Sequence, residues 1–429
     1  MIGLSTLRAR HLSRKGSHTA ALVACRMSDP WVLSRAGMHL SVLEQTRRPS
    51  IEHAVALARL GNVDAAVGMG HPYFGKPAGR TLLGLLAVEA PYLVRHLIRN
   101  RRGLDEVKAF CESVSSNPDA AGIDPGRITP VHSMALALRA GNAQAAKAHF
   151  ERVFRLAGLD VPEVAWRASG IEYKSLSCER YNAAVESDTR VSVILAARNE
   201  AELLPLAVGS LLAQSWRNIE IIIVNDASED GTQAVAESLA RQDPRIKVVQ
   251  LPVNLGLWGA KNVGLRHCTG ALITMHDADD WSHYRKLELQ ATALLRHPGL
   301  VATSSHMIRV NQEDGVPYTR NARNYLRWNA SSFMFRSDVI GQTGGFLDKL
   351  LGSDCEFVAR VETLYGAEAH ARIRLPLCIG LQRKGSLSNR FRSGPEGLVR
   401  VRDWESWRRR HVQGDLRGTE LMLPEPSRN

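Results

Sequence analysis

The chain contains no run of 18 apolar residues, so no segment of it is expected to cross a bilayer as a helix. Cysteine is sparse. Cys25, Cys111, Cys178, Cys268, Cys355 and Cys378 include no C-x-x-C pair, which argues against a zinc centre or a disulfide scaffold and for a reducing compartment. The first sixteen residues mix Arg8, Arg10, Arg14 and Lys15 with polar side chains and offer no continuous apolar stretch, so a secretory leader is not expected. These absences point to a cytoplasmic protein, with peripheral contact at the inner face of a membrane left open. What is in excess is positive charge, a net +12 spread over both halves. That balance suits anionic partners: nucleic acid, acidic lipid headgroups or a nucleotide diphosphate. The apolar and charged fractions, 44% and 23%, are those of a globular protein, and 429 residues leave room for two domains or three short ones.

Residues 18 to 175 carry helical periodicity and few strand signals. Ile51, Ala54, Val55 and Ala58 share one helix face, ended by Gly61-Asn62; Met134 to Leu138 begin another such segment, ended by Gly141-Asn142. The phrase R-x-G-N-x-x-A-A, from Arg59 and again from Arg139, resembles the joint of tetratricopeptide-type repeats. The two copies lie 80 residues apart with no regular copies between them, and a plain helical bundle remains the alternative. No paired carboxylates, metal-ligand spacing or phosphate loop marks this part. We therefore expect an all-α domain over residues 1–178, an interaction or packing domain whose role the sequence leaves open, and a boundary within residues 176–190.

From Val191 the pattern changes to alternating strands and helices. Val191 to Ala196, Ile219 to Val224, Ile246 to Val249 and Ala271 to Met275 read as strands, with helices between them. Alternation of this length predicts parallel pairing with right-handed crossovers and a ligand beyond the carboxyl ends of the strands. Asp226 and the cluster Asp277-Ala278-Asp279-Asp280 both fall at such ends. Carboxylates this close raise one another's pKa unless a cation lies between them. Hard oxygen ligands of this kind suit Mg²⁺ or Mn²⁺ carrying a diphosphate. The alternative is an acidic turn whose Asp280 caps a helix beginning near Ser282.

Several phrases then occur in a recognisable order. Val191 to Glu200 resembles the opening strand of the family 2 glycosyltransferases, inverting enzymes with the GT-A fold. Val224-Asn225-Asp226-Ala227-Ser228-Glu229-Asp230-Gly231-Thr232 resembles their V-D-D-x-S-x-D-G-T, with Asn225 at the first Asp. Asn254, Gly256, Ala260, Lys261, Asn262 and Gly264 follow their N-x-G-x-x-x-A-R-N-x-G, with Lys261 at the Arg. Asp277 to Asp280 is their D-A-D-D. Gly344-Gly345-Phe346, Gly352 to Phe357 and Arg383 to Ser388 look like G-G-F, G-E-D-x-E-L and R-x-H-x-x-S-x-S. The likeness covers residues 189–390. It implies a GT-A domain over 189–395, a Rossmann-like and mostly parallel sheet flanked by helices, with 396–429 as a basic, Trp-containing extension.

The resemblance also implies roles. The donor is a nucleotide-diphosphate sugar, the acceptor a glycan or lipid-linked hydroxyl in surface polysaccharide or glycan synthesis, and nucleic acid is not a partner. Asp279, with Asp277 beside it, holds Mn²⁺ or Mg²⁺ at the leaving diphosphate. Ala196 through its backbone, Asp226, Asp277, Lys261 and Arg383 meet the donor; a lysine at 261 lacks the bidentate fork of arginine. Asp354 takes the acceptor's proton, with Glu356 as a rival that is better read as the partner of Arg360. Ser353 replaces an acid of the family's pair, and Lys384-Gly385 occupies the place of a histidine, leaving Arg383 or Lys384 to substitute. Trp258 either covers a sugar or packs its loop. Trp404 and Trp407 beside Arg408, Arg409 and Arg410 either touch an anionic surface or pack on the catalytic domain. Two other readings compete: a non-catalytic sugar-nucleotide-binding protein with a helical scaffold, and a nucleotidylyltransferase. The latter expects a glycine-rich loop after the first strand, where Ala197-Arg198-Asn199-Glu200 has none.

Overall fold

The computed structural model describes residues 42, 50–59, 63–74, 79–89, 107, 129–178, 184–319, 325–348, 352–384, 386 and 394–421. Among the described residues, five helices precede the sheet: α1 (Ile51–Arg59), α2 (Val63–Gly70), α3 (Gly79–Glu89), α4 (Pro130–Arg139) and α5 (Ala143–Leu156). Both copies of the repeated phrase lie between paired helices. At the second, Gly141 takes φ +72° and the Asn142 side chain accepts the Ala145 N–H, closing α4 and capping α5. The first helix stop, Gly61-Asn62, lies outside the described residues.

Among the described residues, nine strands then build one mixed sheet. They are β1 (Val191–Ala197), β2 (Ile219–Asn225), β3 (Ile246–Gln250), β4 (Leu272–Asp277), β5 (Asp280–Ser282), β6 (Ala302–Asn311), β7 (Pro317–Tyr318), β8 (Leu326–Arg336) and β9 (His370–Gln382), in the order β3-β2-β1-β4-β8-β6-β9-β5 with β7 on β6. β1 to β4 pair parallel, as the alternation of strand and helix requires. β8 joins β4 antiparallel and starts the mixed half. This is the helix-flanked architecture that the resemblance implies.

The strand period of two sorts the apolar residues onto the two faces. Val191, Val193 and Leu195 of β1 and Ile219, Ile221 and Ile223 of β2 pack under α6 (Leu204–Leu212), α7 (Thr232–Gln242) and α9 (Lys286–Arg296). Ile194 faces the other way, into a cluster with α8 (Gly256–Arg266), α10 (Val339–Thr343) and α11 (Ser353–Tyr365). α8 starts at Gly256, which takes φ +75°. It lies so close to the sheet that a Cβ on Gly264 would stand 2.5 Å from Ile194 Cγ2.

The third core is shared. Apolar residues of α1 to α5 and of residues 159–178 form one cluster with Trp281, Ile308, Val310, Leu377, Ile379 and Leu381 of the sheet and with Tyr284 just after β5. The helical part is thus packed onto the mixed half of the sheet. α12 (Gly394–Val412) buries Trp407 and Arg408, with the Arg408 guanidinium over both the Trp404 and Trp407 rings, and sets His411 on Glu356 of α11. α12 therefore packs on α11 through His411, whose ring meets that of Trp407 at 5.1 Å between centres. Among the described residues no helix is long and apolar enough to cross a membrane.

Candidate functional site

The carboxyl ends of β1, β2 and β4 lie side by side, Ala196 pairing with both Val224 and Asp277. Two loops follow the first two strands, and each holds a non-glycine residue in the left-handed region, Asn199 at φ +54° and Ala227 at φ +50°. They are stitched together: Ser228 Oγ accepts the Asn199 N–H, and Asn199 Oδ1 accepts the Glu229 N–H. Asn225, standing where an aspartate was expected, donates from its amide nitrogen to Gln233 and Gln250 and accepts from Ser228. A carboxylate has no proton for those two amide oxygens, so asparagine fits this neighbourhood better. Asp226 is buried, and its Oδ1 accepts the Leu255 N–H at 2.6 Å, tying β2 to the entry of α8.

Asp277 ends β4. Its Oδ1 meets Lys261 Nζ at 2.9 Å, and that lysine is fully buried with its ammonium 4.8 Å from the Trp258 ring centre. Burial pushes the Asp277 pKa up, but Lys261 and Ser331 outweigh it and hold the carboxyl below its usual range. Lys261 is thus engaged with Asp277. Trp258, in the first turn of α8, packs against Phe346, ring centres 5.3 Å apart.

Asp279 occupies the turn between β4 and β5. Its Oδ2 accepts from Arg383 Nη2 at 2.7 Å, and the same nitrogen reaches Glu200 Oε1 at 2.5 Å. Burial and the neighbouring Asp277 charge raise the Asp279 pKa against the pull of Arg383. Of the two cations expected to replace the family's histidine, Arg383 is the one in the site; Lys384 is exposed and pairs with Glu313. Gly385 lies outside the described residues.

Asp280 corrects an expectation. No helix begins near Ser282: Asp280 to Ser282 form β5, paired with Cys378 to Gly380 of β9, and α9 starts only at Lys286, with Arg285 at its N-cap making no side-chain cap bond. The Asp280 carboxyl is therefore a buried strand group, 3.5 Å from Cys378 Sγ. Burial first, then the Asp279 and Asp277 charges, push its pKa up to about 8. Beneath it His276 holds Ser282 Oγ at 2.8 Å, and burial keeps that imidazole neutral, near 3.

Asp354 sits in the first turn of α11, its Oδ1 accepting the Cys355 N–H. Burial raises its pKa, and its carboxyl lies within electrostatic reach of both Lys261 and Asp277. Ser353 donates to the Leu347 carbonyl at 2.6 Å and is fully buried. Glu356 binds Arg360 through both oxygens, at 3.0 and 2.6 Å, and accepts from His411. Arg360 in turn holds the Thr343 and Gly345 carbonyls, so Glu356 is part of the frame. Sequence reasoning missed two contributors: Glu200, which anchors Arg383, and Tyr173, whose hydroxyl reaches the Asp279 carbonyl. Glu200 was visible as the last residue of the opening phrase; Tyr173 carried no signal.

The donor set suits a hard cation. Asp277 precedes the turn and Asp279 lies in it, and each uses one oxygen, on Lys261 and Arg383 respectively. Among the described residues no group of three or more His, Cys, Asp or Glu side chains is arranged to hold a metal, so any ion here would rely on one or two carboxylates and the substrate's phosphates.

Comparison with known proteins adds to this geometry. Residues 192–348 match the family described as Glycosyl transferase family 2. An uncharacterized glycosyltransferase of Haemophilus influenzae is 32% identical over 133 residues, 31% of this chain and 41% of that protein. The succinoglycan biosynthesis protein ExoO of Rhizobium meliloti is 34% identical over 97 residues, 23% of this chain and 27% of that one. The chain thus spans less than half the length of these relatives. Among solved structures, residues 1–349 of S. aureus TarS in complex with UDP-GlcNAc are similar at 19% identity and a TM-score of 0.41, covering 51% of this chain and 66% of that one.

Proposed function

Residues 192–348 form a family 2 glycosyltransferase domain, and from that premise we propose that the chain transfers a sugar from a nucleotide-diphosphate donor to a hydroxyl acceptor with inversion at the anomeric carbon. The observation that carries the reading is the placing of Asp226 just past the end of β2 and of Asp277 and Asp279 at and just past the end of β4, on either side of β1, with Asp354 in electrostatic reach of the Lys261–Asp277 pair. The Ala196 backbone and the second oxygen of Asp226 meet the nucleoside. Asp277, kept ionised by Lys261, meets the ribose or the cation. Asp279 with Asp277 would hold Mn²⁺ or Mg²⁺, which supplies Lewis-acid stabilisation of charge on the leaving diphosphate. Arg383, on the same carboxylate, adds a fixed cation beside the phosphates. The acceptor oxygen bonds the anomeric carbon while the bond to the diphosphate oxygen breaks, its electron pair leaving with the nucleotide. Asp354 takes the acceptor's proton; its burial, which raises the carboxyl's pKa, strengthens it as a base. A role in polysaccharide assembly is suggested by the succinoglycan biosynthesis protein among the relatives.

The test is a panel of nucleotide sugars with Mn²⁺, read by calorimetry for binding and by product analysis for turnover. Asp279→Ala should abolish metal-dependent binding. Asp354→Asn should leave binding intact and lower turnover by a factor on the order of 10² or more. Unchanged turnover in Asp354→Asn would remove Asp354 from the mechanism. Metal-dependent binding with neither hydrolysis nor transfer from any donor would favour a binding protein instead.

A further inference from the structure

Tyr173 belongs to the segment that precedes the sheet, yet its hydroxyl is at the centre of the acidic turn. It lies 2.8 Å from the Asp279 carbonyl oxygen and 2.9 Å from the Ile379 carbonyl oxygen, and the Trp281 N–H is directed at it. The ring is buried among Trp281, Ile379 and the α5 side chains. One hydroxyl thus donates and accepts where β5 and β9 meet, joining the strand that leaves Asp279 to the strand that leads to Arg383.

The mount of this tyrosine is rigid. Residues 163–177 fold back on themselves through bridges between Glu163 and Ser177 and between Trp166 and Ile171. Ser175 Oγ accepts the Ala165 N–H at 2.7 Å, and Ile171 N–H donates to Gly315. The approach to the β6–β7 turn is so close that a Cβ on Gly170 would stand 2.2 Å from the Asp314 carbonyl oxygen. Just upstream, Asp160 accepts from His283 Nε2 through its carbonyl at 2.9 Å and from the Tyr284 hydroxyl through its carboxylate.

We infer that Tyr173 is a positioning residue for the donor site. By holding the Asp279 carbonyl it fixes the backbone of a turn only two residues long, and so the direction of the Asp279 carboxylate. The region before residue 189 is then part of the catalytic apparatus, not an appended module. This rests on the reading of Asp279 as the cation's ligand. Groups that orient ligands typically change metal affinity by about 10- to 100-fold when removed.

The experiment compares Tyr173→Phe with Tyr284→Phe, each of which loses one hydroxyl from the same contact region and keeps its ring. Mn²⁺-dependent binding of UDP and of GDP is measured by calorimetry, the bound Mn²⁺ by its electron paramagnetic resonance spectrum, and the fold by its melting temperature. Tyr173→Phe should weaken Mn²⁺-dependent nucleotide binding about tenfold and alter the bound Mn²⁺ spectrum. Tyr284→Phe should lower the melting temperature with binding within about twofold of the unaltered chain. Binding in Tyr173→Phe within twofold, or an equal loss in both variants, overturns the inference. Should Asp279→Ala retain full Mn²⁺-dependent binding, the ligand assignment itself fails and this inference with it. If Tyr173→Phe does not fold, amide exchange at Trp281 in the unaltered chain decides: slower exchange on adding Mn²⁺ and UDP supports the role, and an unchanged rate overturns it.

Discussion

Asp277, Asp279 and Asp280 fall within four residues, and each meets a different compensating group. Asp277 has the buried Lys261, Asp279 has Arg383, and Asp280 keeps its proton to about pH 8. Mutual repulsion, the problem that the sequence alone poses, is relieved locally. Lys261→Met should expose how much the first pair contributes. Removing one partner of a buried ion pair typically destabilises by about 3–5 kcal/mol; with Asp277 a quarter exposed the lower end is expected. Denaturant titration measures that loss, and nucleotide binding should weaken as Asp277 gains a proton. Lys261 was singled out in the sequence by its place in the phrase Ala260-Lys261-Asn262. Its direct partner was not legible, because spacing in sequence does not say that a lysine on α8 points at the end of β4.

At the scale of elements, α8 is locked to the turn after α10 by a pair of reciprocal bonds. Asn262 donates to the Phe346 carbonyl and accepts the Phe346 N–H, both at 2.8 Å. Gly345 makes room, since a Cβ there would stand 2.4 Å from Asn262 Oδ1. Gly345→Ala should therefore cost about 1–3 kcal/mol, and Asn262→Ala about 1–3 kcal/mol through the unpaired Phe346 groups. Because the added methyl clashes with the very oxygen that Asn262→Ala removes, the double variant should lose less than the two single losses together, a coupling that a double-mutant cycle reads. The strands β1 to β4 were legible because runs such as Ile221 to Val224 are continuous, and both faces of that half are covered. β5 was not. Asp280-Trp281-Ser282 is three residues long, and only its pairing with β9, nearly a hundred residues later, makes it a strand. An acidic residue before a helical pattern reads as a cap when that pairing is unseen.

At the scale of the molecule, two buried histidines tie the helical part to the sheet. His132 of α4 faces Tyr325, ring centres 5.0 Å apart, and His283 stacks on Phe154 of α5 at 6.0 Å while holding the Asp160 carbonyl. Burial lowers each to about 4; Arg139 adds to the effect at His132, and at His283 the Asp160 carbonyl opposes it. A histidine depressed in the folded state binds fewer protons there than when unfolded. Each therefore contributes stability that is present above about pH 6.5 and is lost as pH falls toward 4, on the order of 3 kcal/mol apiece. The unfolding free energy should fall from pH 7 to 4 accordingly, and His283→Gln should flatten part of that slope. The helical character of the first part was legible from its periodicity. That its apolar faces meet β5, β6 and β9 was not, because periodicity marks a buried face without naming what covers it.

That shared core has a practical reading. Trimming the chain to the segment that carries the family phrases would bare Trp281, Tyr284, Leu377 and Ile379, side chains that the helices now cover. A truncated product of that kind would offer a greasy underside to solvent and to its own copies, and would be prone to clump before its chemistry was ever assayed.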